Sequence, residues 1–154
     1  MNGNTQYCTF FLDDLFFGVD VLKVQEVIRY QTMTRVPLAS HVVSGLINLR
    51  GQIVTAVDLR RRLGLPDRAA EHLPMNVVVR TDDGAVSFLV DEIGDVLDVD
   101  DAAFERPPET MTGPARDLIR GVYKLSDRLL LILDTEQAVN VGGSSGNAEL
   151  SEAA

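Results

Sequence analysis

Tryptophan is absent from this chain of 154 residues, cysteine occurs once and histidine twice. One cysteine, Cys8, excludes an internal disulfide and fits a reducing compartment. Cys8 stands in an apolar run, where cysteine behaves as a small core residue rather than a nucleophile. His41 and His72 each stand alone in loop-like sequence, so a structural zinc site is not expected. No G-x-S-x-G elbow, no G-x-x-x-x-G-K-S/T loop and no G-x-G-x-x-G run is present. The longest apolar run, Leu129 to Leu133, is far short of the ~20 residues that span a bilayer. The start, MNGNTQYC, lacks the basic and apolar regions of a signal peptide. These absences point to a soluble cytoplasmic binding module with no cofactor and no metal, rather than an enzyme.

Positive charge is also scarce. Fourteen Lys and Arg against 23 Asp and Glu give a formal net charge of -9. Such a field repels a phosphate backbone and an anionic lipid surface, which argues against nucleic-acid partners and direct membrane insertion. Hydrophobic residues at 45% and charged residues at 24% are a globular balance. The length suits one domain or two small lobes sharing a core.

Gly and Asp turn signals separate short β-rich runs. CTFFL and FFGVD flank DDL, and GLINL and QIVTAVD flank RG. NVVVR and AVSFLVD flank TDDG, while IRGVYKL and RLLLILD flank SD. Four successive hairpins predict an all-β fold of small barrels. RLLLILD is apolar throughout, so that strand should be covered on both faces.

Helical signals are few. VLKVQEVIRY places Val21, Val24, Val27 and Ile28 on one helical face, with Asp20 as a cap. LRRRLG reads as a short helix ending at Gly64, with Arg60 to Arg62 as a solvated basic face. TEQAV reads as a last helical turn. In DEIGDVLDVDD, the residues Asp91, Asp95 and Asp98 alternate with apolar ones, which fits one wet face better than a calcium loop. Asp13-Asp14 and Asp82-Asp83 fall in hairpin turns, where Asp bonds its own backbone.

An internal repeat organises the chain. GLINLRGQIVTAVDL aligns with GVYKLSDRLLLILDT without a gap: Gly45 falls on Gly121, Leu49 on Leu125 and Asp58 on Asp134. Upstream, FGVD ending at Asp20 matches FLVD ending at Asp91. Two copies are too few for a solenoid and fit two small barrels packed side by side. Lobe one is expected at about 5–66 and lobe two at about 74–139, joined by GLPDRAAEHLPM. A disordered Gly/Ser-rich tail is expected at 140–154.

FFGVDVLKVQEVI, GLINLRGQIVTAVDLRRRLGL and FLVDEIGDVLDV resemble the CheW family of bacterial chemotaxis coupling proteins, over about Thr5 to Val139. The resemblance implies two Src-homology-3-like five-stranded barrels with a few short helices. It implies a non-enzymatic adaptor linking methyl-accepting chemoreceptors to the histidine kinase CheA. A CheW-like adaptor of a pilus or other non-flagellar pathway is the alternative. The chain would be a monomer in isolation and would be recruited to membrane-associated receptor arrays.

The resemblance also implies sites. Receptor tips would dock in an apolar groove between the lobes, walled by Val24, Val27 and Ile28 on one side and Ile93 and Val96 on the other. Glu26 would belong to its rim. Ordinary core is the competing reading for each apolar residue. The kinase's regulatory domain would meet Arg50 and Ile53, and a second kinase surface would carry Arg106, Glu109 and Met111. Thr110 and Met111 stand where the resemblance places an aromatic anchor in that second loop. Arg50 alone reads as a plain turn residue. Two points favour a contact role: its equivalent in the repeat is Ser126, and the family pattern keeps NLRG at this hairpin.

Overall fold

The computed structural model describes residues 3–140. All four expected hairpins form: β1 (Asn4–Leu12) with β2 (Leu15–Asp20), β4 (Val43–Leu49) with β5 (Gln52–Asp58), β6 (Met75–Thr81) with β7 (Gly84–Val90), and β10 (Ile119–Lys124) with β11 (Leu129–Leu133). Three short strands complete the set: β3 (Val24–Ile28), β8 (Glu92–Ile93) and β9 (Leu97–Asp100). The helices are α1 (Leu59–Arg62), α2 (Pro114–Leu118) and α3 (Thr135–Val139). Asp58 and Asp134, equivalent in the repeat, cap α1 and α3 by accepting from the Arg60 and Gln137 amides.

The helix expected from Val21 onward does not form. Asp20 does cap, but it caps a single 3-10 turn, Val21–Lys23, which runs straight into β3. Val24, Val27 and Ile28 are β-branched, and β6 offers a free edge for them to pair with, so strand pairing wins over helical spacing.

The sheets do not coincide with the sequence halves. One sheet runs β10-β11-β2-β1, with β8 and β9 both paired to the far edge of β1. The other runs β3-β6-β7-β5-β4. Each half therefore lends its first hairpin to the other half's sheet. The join is a parallel pairing in both cases, β11 on β2 and β5 on β7. A division at the 67–73 linker, as the sequence repeat invites, would cut across both sheets. The tail beyond Asn140 lies outside the described residues.

This exchange builds three cores. Ile47, Leu49, Val54 and Val78 fill the barrel of β3–β7. Tyr7, Phe16, Tyr123, Leu130 and Ile132 fill the other. The third and largest joins the two sheets, with Phe10, Phe17, Val19, Leu131 and Leu133 against Val57, Val77, Val79 and Phe88. Successive β11 residues thus alternate between a barrel interior and the shared core, which is why RLLLILD is apolar throughout. Each fully buried side chain of this kind contributes about 1.5–3 kcal/mol.

The repeat extends to the backbone beside its two glycines, although the turns differ, since Arg50 has positive φ and Ser126 does not. β4–β5 and β10–β11 both carry an irregularity beside their glycine, between Val43 and Gly45 and between Ile119 and Gly121. At each, an incoming strand residue bridges the next position: Thr34 to Leu46 and Glu105 to Val122. The bridging backbone lies so close that a Cβ on Gly45 would sit 2.7 Å from the Thr34 carbonyl oxygen.

Candidate partner-binding surfaces

Arg50 and Gly51 alone make the turn between β4 and β5, with Leu49 paired to Gln52. Both have positive φ, 53° and 89°. A two-residue hairpin turn with positive φ at both centres matches the strand twist, and favours Asn-Gly or Gly-Gly. An arginine held there carries local strain of order 1 kcal/mol. The Asn48 side chain steadies the turn by accepting from the Gly51 amide at 2.9 Å. The Arg50 guanidinium donates to the carboxylate of Glu26 on β3. Glu26 is only 19% exposed, whereas Arg50 is 73% exposed. The expected receptor rim and the expected kinase contact are therefore brought together in one ion pair.

The other expected residues divide by burial. Val24 packs against the shared core and Ile28 against the β3–β7 barrel interior, and both are partly buried. Val27 faces outward on β3. Of the residues expected to form the other wall, Ile93 is partly buried against the shared core and Val96 is 55% exposed. Ile53 is 60% exposed just past the Arg50 turn.

Arg106 and Glu109 are exposed in the loop before α2, and Met111 packs against the shared core. Arg116 of α2 holds that loop by donating to the Pro108 carbonyl at 3.0 Å.

Arg60 to Arg62 are not a solvated basic face. Arg60 donates to Asp91 from two nitrogens, at 2.9 and 2.6 Å, and to Asp13. Arg68, from the linker, donates to Asp91 and to Asp58. Arg62 donates to the carbonyls of Gln137, Ala138 and Asn140, closing the C-terminal end of α3. Asp91 also accepts from the Asp13 amide at 2.9 Å, so it is not on the wet face with Asp95 and Asp98. This charge cluster joins the β1–β2 turn to α1 and the end of β7.

Burial pushes the Asp91 carboxyl up, yet the donors from Arg60, the Asp13 amide and Arg68 outweigh it and hold it at about 2. The bond to Asp91 in turn holds Arg60 more firmly protonated. Sequence spacing hid this cluster, because its members come from four separate segments. The match of FGVD to FLVD was the available signal that Asp91 closes a structural unit. Cys8 is half-buried, and burial pushes its thiol up, away from a reactive thiolate. Among the described residues no group of three or more His, Cys, Asp or Glu is placed to hold a metal ion, and no helix is long and apolar enough to cross a membrane.

The CheW-like domain family matches residues 6–142. The chain belongs to the CheW family. It is 31% identical to the chemotaxis protein CheW of Bacillus subtilis over 124 residues, covering 80% of each chain. It is 29% identical to the chemotaxis protein CheW of Treponema pallidum over 133 residues, covering 84% of this chain and 78% of the other. The crystal structure of the scaffolding protein TtCheW from Thermoanaerobacter tengcongensis superposes with a TM-score of 0.82 at 26% identity. That match covers 91% of this chain and 95% of the other. The two-barrel, nearly all-β architecture is thus that of the CheW family.

Proposed function

We propose that this protein is a non-enzymatic adaptor that couples methyl-accepting chemoreceptors to the histidine kinase CheA. It would work in the cytoplasm, recruited to membrane-associated receptor arrays, and would be a monomer when isolated. The observation that carries this reading is the Arg50 turn. A strained arginine, 73% exposed, is tied to Glu26 within a CheW-family barrel, with the exposed apolar residues Ile53 and Val27 on the same two elements. Strain held at an exposed charged residue is a mark of recognition, since a glycine there would fold at less cost.

Arg50 and Ile53 would face the kinase's regulatory domain, with Arg106 and Glu109 forming a second contact. Met111 would shape that second loop from beneath, since it packs inward. Glu26, Val27 and Val96 would face the receptor tip. Val24, Ile28 and Ile93 would support that face from the core side. The protein would act by geometry, holding the kinase where a change in the receptor reaches it.

The test is a titration against the regulatory domain of its own organism's CheA, for wild type, Arg50→Ala and Ile53→Asp, with circular dichroism to confirm folding. Weakened binding by folded variants supports the adaptor and this surface. Tight binding unchanged in both variants overturns the surface, and no binding by the wild type overturns the kinase partner. A deletion strain scored for swimming and for surface motility separates the flagellar pathway from a pilus-type one.

A further inference from the structure

The chain crosses once between its two halves, along residues 64–74. The hairpins β1–β2 and β4–β5 form within residues 3–63, and β6–β7 and β10–β11 within residues 75–140. Among the described residues, every other pairing of named strands joins the halves: β1 to β8 and β9, β2 to β11, β3 to β6, and β5 to β7. The shared core is built the same way, with Phe10 and Val57 from the first half against Phe88 and Leu131 from the second. Neither half holds a complete sheet alone. A second copy of the chain would supply the missing half with all of these pairings unchanged. Only residues 64–74 would have to take a new path.

That linker is pinned to the fold at defined points. Gly64, with φ of 75°, turns the chain out of α1, and Leu65 packs against the shared core. The Pro66 carbonyl accepts from Arg60 at 2.8 Å. Arg68 then reaches into the charge cluster. It donates to Asp58 of the first half at 3.1 and 3.3 Å, and to Asp91 of the second half at 3.1 Å. All three side chains are little exposed. Beyond Arg68 the linker is bare, with Ala69 to Leu73 exposed. One linker side chain thus grips a carboxylate from each half.

The grip decides which halves meet. A flexible tether holds its two ends at an effective concentration on the order of mM. A linker pinned to both halves exceeds this, because less freedom is lost when it closes. Once unpinned and extended, residues 64–74 span roughly 35 Å, about the width of a small domain.

We infer that Arg68 is a latch that keeps the two halves of one chain together, and that without it the protein exchanges halves with a second copy of itself to form an interlocked dimer. Such a dimer holds two complete barrel pairs joined by two linkers. On the adaptor reading above it carries each partner surface twice, so opening the latch converts a monovalent adaptor into a bivalent one. The exchange itself does not depend on that reading.

The experiment unfolds the whole protein in urea and refolds it at about 0.01 mM and at about 1 mM, either side of the effective concentration of a free tether. Mass is read by light scattering after size exclusion, and circular dichroism confirms folding. Wild type is expected to be monomeric at both concentrations. R68A is expected to form at least about tenfold more dimer at the higher one, since it loses a desolvated ion pair from the closed linker. R68Q, which keeps an amide donor, replaces R68A if that variant does not fold. E71A, at an exposed position of the same linker, should behave as wild type. Exchange is read by a disulfide. Gln6 on β1 and Asp98 on β9 are directly opposed, exposed, and from different halves. Opposed residues of antiparallel strands lie within disulfide range. With Q6C and D98C added to R68A and C8S, the oxidised dimer should run as two linked chains on a denaturing, non-reducing gel, and the oxidised monomer as one. A dimer that runs as single chains overturns exchange. Equal dimer in wild type and the Arg68 variants, as much dimer in E71A as in R68A, or no dimer in any of them overturns the latch.

Discussion

Arg50 and Glu26 form an ion pair between a turn and a strand at opposite ends of one sheet's pairing order. β3 and β4 are the outer members of β3-β6-β7-β5-β4, and the pair draws them together as the sheet curls. An ion pair with one member 73% exposed is worth at most about 1 kcal/mol. Replacing Arg50 by glycine removes that contribution and also removes the strain of a positive φ in a residue with a Cβ. R50G should therefore change unfolding free energy by less than about 1 kcal/mol in urea, while weakening the kinase-domain interaction at least tenfold. A large stability loss would make the pair a structural closure rather than a recognition element.

Asp91 should behave in the opposite way. Its carboxylate joins Arg60, Arg68 and the Asp13 amide, and it is little exposed. Removing one member of a charge cluster with little solvent access leaves its partners desolvated and costs about 3 kcal/mol, the expected effect of D91N.

The same group sets an acid limb of stability. Its folded value is about 2, below the ordinary 3.8, so its contribution is fully present above about pH 5 and is lost as pH falls toward 2. The depression is equivalent to about 2 kcal/mol. Unfolding free energy of D91N should lie below wild type at pH 7, and the two should converge toward pH 2. A constant gap between the curves would show that the loss in D91N is one of packing.

Gly121 and Gly45 test the repeat as a physical rule. A Cβ on Gly121 would come within 2.2 Å of the Phe104 ring and 2.5 Å of the Glu105 carbonyl oxygen. On Gly45 it would meet the Thr34 carbonyl oxygen at 2.7 Å. Backbone cannot yield as a flexible side chain does, so G121A and G45A should each lose more than about 2 kcal/mol. G51A, with positive φ but open space around it, should lose only about 1 kcal/mol. Thermal unfolding of the three variants ranks them. If G51A proved the most damaging, backbone conformation rather than close approach would govern these turns.

Much of this architecture was legible because the hairpins are local. Turn residues at Asp13-Asp14, Arg50-Gly51 and Asp82-Asp83 sit between alternating or fully apolar runs, and each such run paired with its neighbour. The exchange of hairpins between sheets was not legible, because β2 meets β11, and β5 meets β7, through apolar backbone rows with no distinguishing side chain. β3 was misread as helix because five residues with apolar positions at Val24, Val27 and Ile28 satisfy helical spacing as well as a strand interrupted by an irregularity between Val24 and Glu26. The site was legible only in part. Arg50, Ile53 and Val96 reach the surface, whereas Glu26 is largely covered and its pairing with Arg50 joins residues 24 positions apart on separate elements.

Ile53 and Leu129 provide the last test, because the repeat places them at one position. Each is the second residue of its hairpin's returning strand or the first, beside the Arg50 turn and the Ser126 loop respectively, and they are 60% and 37% exposed. Burying an isoleucine of that exposure against a partner contributes about 1.5 kcal/mol, and placing a carboxylate in the same contact costs more than its loss. I53D should therefore weaken the kinase-domain interaction by well over tenfold while its unfolding curve stays near wild type. L129D should leave that interaction nearly intact, because the loop beside it carries serine where the other turn carries arginine. Equal losses from I53D and L129D would show that both barrels present this position to the kinase, and that Arg50 does not distinguish the two ends of the molecule.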